Sequence, residues 1–213
     1  MPGGPLPVMH ARDSAFAYTC RACSRCCYGR RIQVNPYELA RLARALGIST
    51  TEVISRFTVD GGIALATRAD TSCTFLGPEG CTVHADRPLV CRLYPLGRIV
   101  EADGRETFIE NEPHPHTEGL YGTDGSVDSY LESQSVAPYI AAADRYFAVY
   151  MELMSGGGTR DDDPSIDMDP RAFIDADLAV QPNAPADART PADVEALVEA
   201  HLAIIEDWAR RLR

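Results

Sequence analysis

The sequence predicts an α+β fold, with short strands and flanking helices arranged around irregular loops. Three observations carry that expectation. Four cysteines fall within eight residues, Cys20-x-x-Cys23-x-x-Cys26-Cys27, and three more follow at Cys73, Cys81 and Cys91. Turn signals at Gly61-Gly62, Gly77-Pro78-Glu79-Gly80 and Asp103-Gly104 cut residues 61–110 into short apolar runs. Helical apolar periodicity lies on both sides of that stretch.

Taken in order, residues 1–18 read as a flexible N-terminal tail, and 19–34 as a loop carrying the cysteine run. Asn35-Pro36 starts a helix, because Asn caps free N–H groups and Pro suits the first turn. That helix runs through Leu39, Leu42, Ala43 and Leu46 and stops at Gly47. Ser49-x-x-Glu52 is a capping box for a second helix containing Val53, Ile54 and Phe57. Strands are expected near 63–68, 73–76, 81–84, 97–101 and 106–110, with Asp103-Gly104 turning a hairpin. Between them, Arg87 to Pro95 makes one or two helical turns. Residues 127–154 are helical with a stripe of Ile140, Ala143, Phe147, Met151 and Met154, broken by Gly156-Gly157-Gly158. Residues 156–190 are acidic, rich in Pro and read as a linker. Thr190-Pro191 then caps a C-terminal helix over 191–213, striped by Val194, Leu197, Val198, Leu202, Ile205, Trp208 and Leu212. The cysteine-cluster domain is thus expected over 19–155, and the last helix either packs back on it or self-associates.

The formal charge of −11 disfavours a non-specific nucleic-acid binder, which carries a basic face. Tyr37 to Phe57 has the outline of a helix-turn-helix, but its second helix holds one Arg, so an ordinary helical corner is the better reading. No run of 18 apolar residues exists to span a membrane, and the first 18 residues lack the apolar core of a secretory signal. A cytosolic location follows by default, and there thiols stay reduced. Asp161 to Ser165 faintly echoes a calcium loop but has Ile166 where Gly is needed and Ala172 where Glu is needed.

A chain of 213 residues buries a core without crosslinks, so dense thiols need another reason to exist. Seven is also an odd number, which a pure disulfide framework would leave unpaired. C-x-x-C points two sulfurs at one ion, and here the spacing is used twice in succession. C-x-x-C-x-x-C also matches the close ligands of ferredoxin clusters, with a remote cysteine as the fourth. Neighbouring side chains diverge, so Cys26 and Cys27 address two ions or two irons of one cluster. Both zinc and an iron–sulfur cluster stay open, with iron–sulfur preferred. Arg21, Arg25, Arg30, Arg31, Arg87 and Arg92 lie near the cysteines in sequence, where guanidinium groups offset thiolate charge. His84, beside Cys81, is a weaker ligand candidate.

The Cys20-x-x-Cys23-x-x-Cys26-Cys27 run resembles the signature of the CxxCxxCC zinc- or iron-chelating domains, the YkgJ-type cysteine-cluster family. Cys73-Thr-Phe-Leu, Gly80-Cys81-Thr-Val-His84 and Arg87-Pro88-Leu-Val-Cys91-Arg92-Leu-Tyr94-Pro95 are similar to its second block. The resemblance spans roughly residues 18–152. Family members carry an eighth cysteine where this chain reads Pro113-His114-Pro115-His116, and Tyr130-Leu-Glu-Ser-Gln134 again looks like the family. The resemblance therefore implies a ligand set of Cys20, Cys23, Cys26, Cys27, Cys73, Cys81, Cys91 and His116, with His114 the second choice for the last place. An iron–sulfur cluster held by that set would serve electron transfer or redox support for an unknown redox or protein partner. Two other readings stand beside it: a zinc-stabilised interaction module whose acidic surface takes a basic partner, and an enzyme like the flagellin lysine methylases, which carry a similar cluster.

Overall fold

The computed structural model describes residues 8–101, 103–155, 169–184 and 193–211. Its elements mix helix and strand as expected. The first are β1 (Met9–His10), β2 (Ala15–Thr19), α1 (Pro36–Leu46), α2 (Thr50–Phe57), β3 (Thr58–Val59) and β4 (Ala64–Leu65). Next come β5 (Leu76–Gly77), β6 (Gly80–Cys81), α3 (Leu89–Leu93), β7 (Leu96–Val100), β8 (Glu106–Glu110) and β9 (Leu120–Ser126). The chain continues with α4 (Val127–Ser133), α5 (Ala137–Ser155), α6 (Ala176–Val180) and α7 (Val194–Arg211). Among the described residues no helix is long and apolar enough to cross a membrane.

The contacts divide the chain into two compact units. The first comprises Met1–Ile32, Thr67–Thr82 and Pro88–Pro138. Its β7 and β8 form the hairpin that Asp103-Gly104 announces, with Leu96 opposite Glu110 and Val100 opposite Glu106. β1 adds to the other edge of β8, Met9 facing Ile109 and His10 facing Phe108. β2 pairs antiparallel with β9. The expectation of a loose tail over 1–18 is thereby corrected from residue 8 onward. Phe16 is buried and meets the Tyr130 ring edge to face at 5.2 Å, so this segment brings its own core residue. Arg12 reaches both Glu106 and Asp128, at 2.6 and 2.7 Å. The alternation Phe16, Tyr18 was the strand signal in the sequence. β5 and β6 are two residues each, shorter than the strands expected near 73–76 and 81–84, and β4 in the second unit is likewise shorter than the strand expected near 63–68.

The second unit comprises Gln33–Ala66, Val83–Arg87 and Tyr139–Arg213. Asn35 caps α1 and Ser49 caps α2, each as a full capping box, and α1 ends on Gly47 at φ 68°, where a residue with a Cβ is strained. The two helices lie where the caps predict and pack against each other. α7 buries Val194, Leu197, Val198, Leu202 and Ile205 against α1 and α6, and Trp208 is half-buried. Leu212, Gly156 to Gly158, the Thr190-Pro191 cap and the calcium-like Asp161 to Ser165 lie outside the described residues.

Two expectations about this unit are corrected. α5 buries Tyr139, Ala142, Tyr146 and Val149, while Phe147, Met151 and Met154 of the expected stripe are exposed. The buried set is rotated by about one residue, because Tyr139 and Tyr146 supply interior bulk that a simple apolar count gives to Phe and Met. The acidic segment is not a plain linker over its described part, 169–184. Asp175 caps α6 and accepts the hydroxyls of Thr50 and Thr51 at 2.6 Å each, and Asp177 accepts the Thr50 N–H at 2.7 Å. Carboxylates that look solvated in sequence are the caps and anchors of this packing.

His201 is fully buried on α7 and needs a partner for each ring nitrogen. Nε2 faces the Ala172 carbonyl at 2.8 Å, so it carries the proton and donates. Nδ1 then accepts from the Tyr146 hydroxyl at 3.0 Å. This satisfies the neutral ring. Burial holds the His201 pKa below its ordinary value, against the opposing effects of the Ala172 carbonyl and Asp175. The unfolded chain therefore binds a proton that the folded one does not, and His201 favours folding fully only above its unfolded pKa of about 6.5. Urea midpoints are expected to fall as pH drops from 7.5 to 5.5. His201→Gln is expected to flatten that slope; an unchanged slope would assign it to other groups.

Candidate metal centre

All seven cysteines lie in the first unit. Cys20 is exposed, the other six are half-buried, and all seven are free thiols. The loop carrying the first four curls through two left-handed residues that are not glycine, Ala22 at φ 54° and Ser24 at φ 59°. Each such residue costs about 1 kcal/mol in a free chain, so the loop is held in a shape it would not choose alone. Ser24 then accepts the Cys27 N–H at 3.0 Å and closes one helical turn over Arg25–Cys27. The Cys20 sulfur accepts the Ala22 N–H at 3.4 Å.

The remote cysteines are brought to this loop by backbone contacts. The Cys73 N–H donates to the Cys27 carbonyl at 2.8 Å, and Tyr28 bridges to Ser72. The turn leading into Cys73 is fixed by Asp70, which accepts the Ser72 N–H and hydroxyl at 3.0 and 2.6 Å. The turn after it is clamped by Arg68, whose guanidinium donates to the carbonyls of Thr74 and Leu76 at 2.8 and 2.7 Å. Leu76 pairs with Cys81 across the tight β5–β6 hairpin, and Gly80 passes close to Ser24. Cys91 sits in α3, its N–H bonded to the Pro88 carbonyl at 2.9 Å.

The result is mutual electrostatic reach. The Cys27 thiol is hydrogen-bonded to Cys26 and buried, and it feels the charges of Cys26, Cys91 and Cys73; all of these push its pKa up. Burial also raises the Cys73 pKa, and Cys81 and Cys26 add to it, against a backbone N–H from Phe75 and the charge of Arg68. Thiols crowded in this way resist ionisation on their own, and a cation among them reverses that preference. Soft sulfur donors suit zinc or iron in this role. Among the described residues no three His, Cys, Asp or Glu side chains converge closely enough to hold one ion as they stand.

The histidine pair lies along the same side. Tyr18 is within electrostatic range of Cys20 and Cys26 and hydrogen-bonds to the Thr117 side chain; burial pushes its pKa up to about 12. Thr117 N–H in turn donates to the His114 carbonyl at 2.8 Å, and His116 N–H donates to His114 Nδ1 at 3.1 Å. The two imidazole rings stand 5.7 Å apart, His114 half-buried and His116 exposed. Gly119 makes this approach possible, since a Cβ there would stand 2.1 Å from the Tyr18 oxygen. His84 belongs to the second unit, where the Arg87 guanidinium donates to its carbonyl at 2.7 Å.

A tyrosine cluster that motif reading missed meets the thiols through Tyr18, which feels Cys20 and Cys26. Tyr18 meets Tyr94, Tyr121 and Tyr130 edge to face at 5.9, 5.1 and 6.4 Å, and the Arg30 guanidinium lies 4.9 Å over the Tyr94 ring. Of the arginines expected to balance thiolate charge, Arg92 is buried with its guanidinium on the Gln134 carbonyl at 2.9 Å, while Arg21 and Arg25 are exposed. The signal for the tyrosine cluster was present as Tyr94, inside the Arg87 to Pro95 block.

A family model described as "CxxCxxCC: Putative zinc- or iron-chelating domain" matches residues 19–114. The chain is 31% identical over 125 residues to an uncharacterized protein of Methanocaldococcus jannaschii, a match that covers 56% of this chain and 67% of that protein. No solved structure matches the chain.

Proposed function

The chain belongs to the CxxCxxCC family of zinc- or iron-chelating domains, and from that premise we propose that it holds an iron–sulfur cluster and serves in electron transfer or redox support. The observation that carries this reading is the gathering of all seven thiols in one unit, where Cys27 feels Cys26, Cys73 and Cys91, and Cys73 feels Cys81 and Cys26. A structural zinc and an iron–sulfur cluster each take four protein ligands, so seven thiols and a histidine fit one cluster with one structural ion, or two four-coordinate sites. Adjacent Cys26 and Cys27 suit two irons of one cluster better than one ion. Cys20, Cys23, Cys26, Cys27, Cys73, Cys81 and Cys91 would supply the sulfurs and His116 the remaining bond. When bound, the cluster would supply a one-electron couple. The chain's own part is to tune the couple through N–H groups aimed at sulfur, as Ala22 does at Cys20.

The deciding measurement is iron, zinc and acid-labile sulfide per chain on protein purified without oxygen, read with the visible spectrum. Iron with matching sulfide and a brown colour is expected. Colourless protein holding zinc alone would overturn the redox reading and make the cysteines the frame of an interaction module. His116→Ala is expected to lower the metal content or shift the visible bands, and unchanged stoichiometry and spectrum would remove His116 from the ligand set.

A further inference from the structure

A cavity of about 470 Å³ lies within the first unit, and no cysteine is among its lining residues. One wall is the strand of chain from Gly29 to Ile32, directly after the cysteine run. The other is α3 with the start of β7. Its volume falls in the range of small-molecule sites.

The lining divides by chemistry. Ile32, Leu89, Leu93 and Leu96 are buried and make an apolar floor. Arg30, Arg31 and Arg98 supply three cationic residues to the lining, and Asn111 an amide residue. The lining includes no Asp or Glu, although the chain as a whole carries −11. Cations concentrated against the average charge of a protein mark a site for an anion.

Two of the arginines and the amide are held in place. Arg30 stacks on Tyr94 at 4.9 Å and donates to the Glu112 carbonyl at 3.2 Å, which leaves the rest of its fork for other acceptors. Arg98 is paired with Glu106, which also takes Arg12, so that carboxylate is divided between two cations. The Asn111 amide nitrogen donates to the Pro95 carbonyl at 3.0 Å, which fixes the plane of the amide. Donors held in this way lose little entropy on binding.

We propose that this cavity binds a small amphipathic oxyanion, a carboxylate or phosphate monoester whose apolar body lies on the leucine floor and whose charged head meets Arg30 and Arg31. The Arg fork matches both head groups bidentately. The site requires no particular metal, so its failure and the failure of the redox reading are separate events.

The test is calorimetric titration of the full-length protein, as purified, with hexanoate, hexyl phosphate and hexanol. At least one anion is expected to bind, with affinity that falls as salt rises, and hexanol is expected to give no measurable heat. Binding of hexyl phosphate alone would identify a phosphate monoester, and of hexanoate alone a carboxylate. Arg30→Gln and Arg31→Gln are each expected to weaken binding by about tenfold, the loss of one charge-assisted hydrogen bond. Val90 lines the same cavity and is 40% exposed, so Val90→Trp should fold, fill the space and abolish binding while leaving metal content unchanged. No binding of either anion at millimolar concentration, equal binding of hexanol, or wild-type affinity in all three variants would overturn the proposal.

Discussion

Cys27→Ser is expected to lose at least half of the metal bound by the wild-type chain when both are purified without oxygen. Cys27 is the thiol that feels Cys26, Cys73 and Cys91 together, so a ligand lost there touches several others. Serine keeps the size of the side chain and a hydrogen-bonding group towards Cys26. The backbone bond from Cys73 N–H to the residue 27 carbonyl is independent of the side chain, so the loop retains its main tether. Metal loss should therefore exceed the change in far-UV circular dichroism. A hydroxyl is a poor ligand for zinc and for iron in a cluster, whereas a thiolate bonds strongly to both. Full metal content in Cys27→Ser would place Cys27 outside the centre and leave its adjacency to Cys26 without a role. The other six cysteines then become the set to test.

Thr50→Val is expected to destabilise the second unit by about 3 kcal/mol, measured by urea unfolding of the full chain. Thr50 is fully buried, and its hydroxyl serves two partners at once. It donates to the Asp175 carboxylate at 2.6 Å and accepts the Asp177 N–H at 3.0 Å. Valine matches the shape and removes both bonds, leaving a buried N–H unpaired and a buried carboxylate short of one donor. Thr51→Val is the natural comparison. It removes one bond, also 2.6 Å, to the same carboxylate from a part-buried position, and its cost should be clearly smaller. Equal costs for the two would show that the buried network is no tighter than a surface contact.

The helical corner was legible because its instructions are local. Asn35, Pro36, Gly47, Ser49 and Glu52 act on their own backbone within a turn, and each performs the role that its residue type implies. The β7–β8 hairpin was legible for the same reason, through Asp103-Gly104. The stripe of α7 could be read because its buried positions carry mainly aliphatic residues. α5 was misread because its interior is built from Tyr139, Tyr146 and small residues, while Phe147 and Met151 face out. Hydrophobicity alone ranks those sets in the wrong order.

Residue type and spacing thus pointed to a metal-chelating chain, since four thiols in eight residues have no comparable use in a chain with an adequate core, and the family match agrees with that reading. Spacing along the chain carries no distance across it, however, and the meeting of Cys73, Cys81 and Cys91 with the first loop depends on long-range bonds such as that from Cys73 N–H to Cys27 carbonyl. The same holds for the strands at 9–10 and 15–19, which need β8 and β9 as partners, and for Asp175 and Asp177, which are linker-like until Thr50 and Thr51 arrive beside them. These features arise from pairing between distant segments, so only the folded chain could decide them.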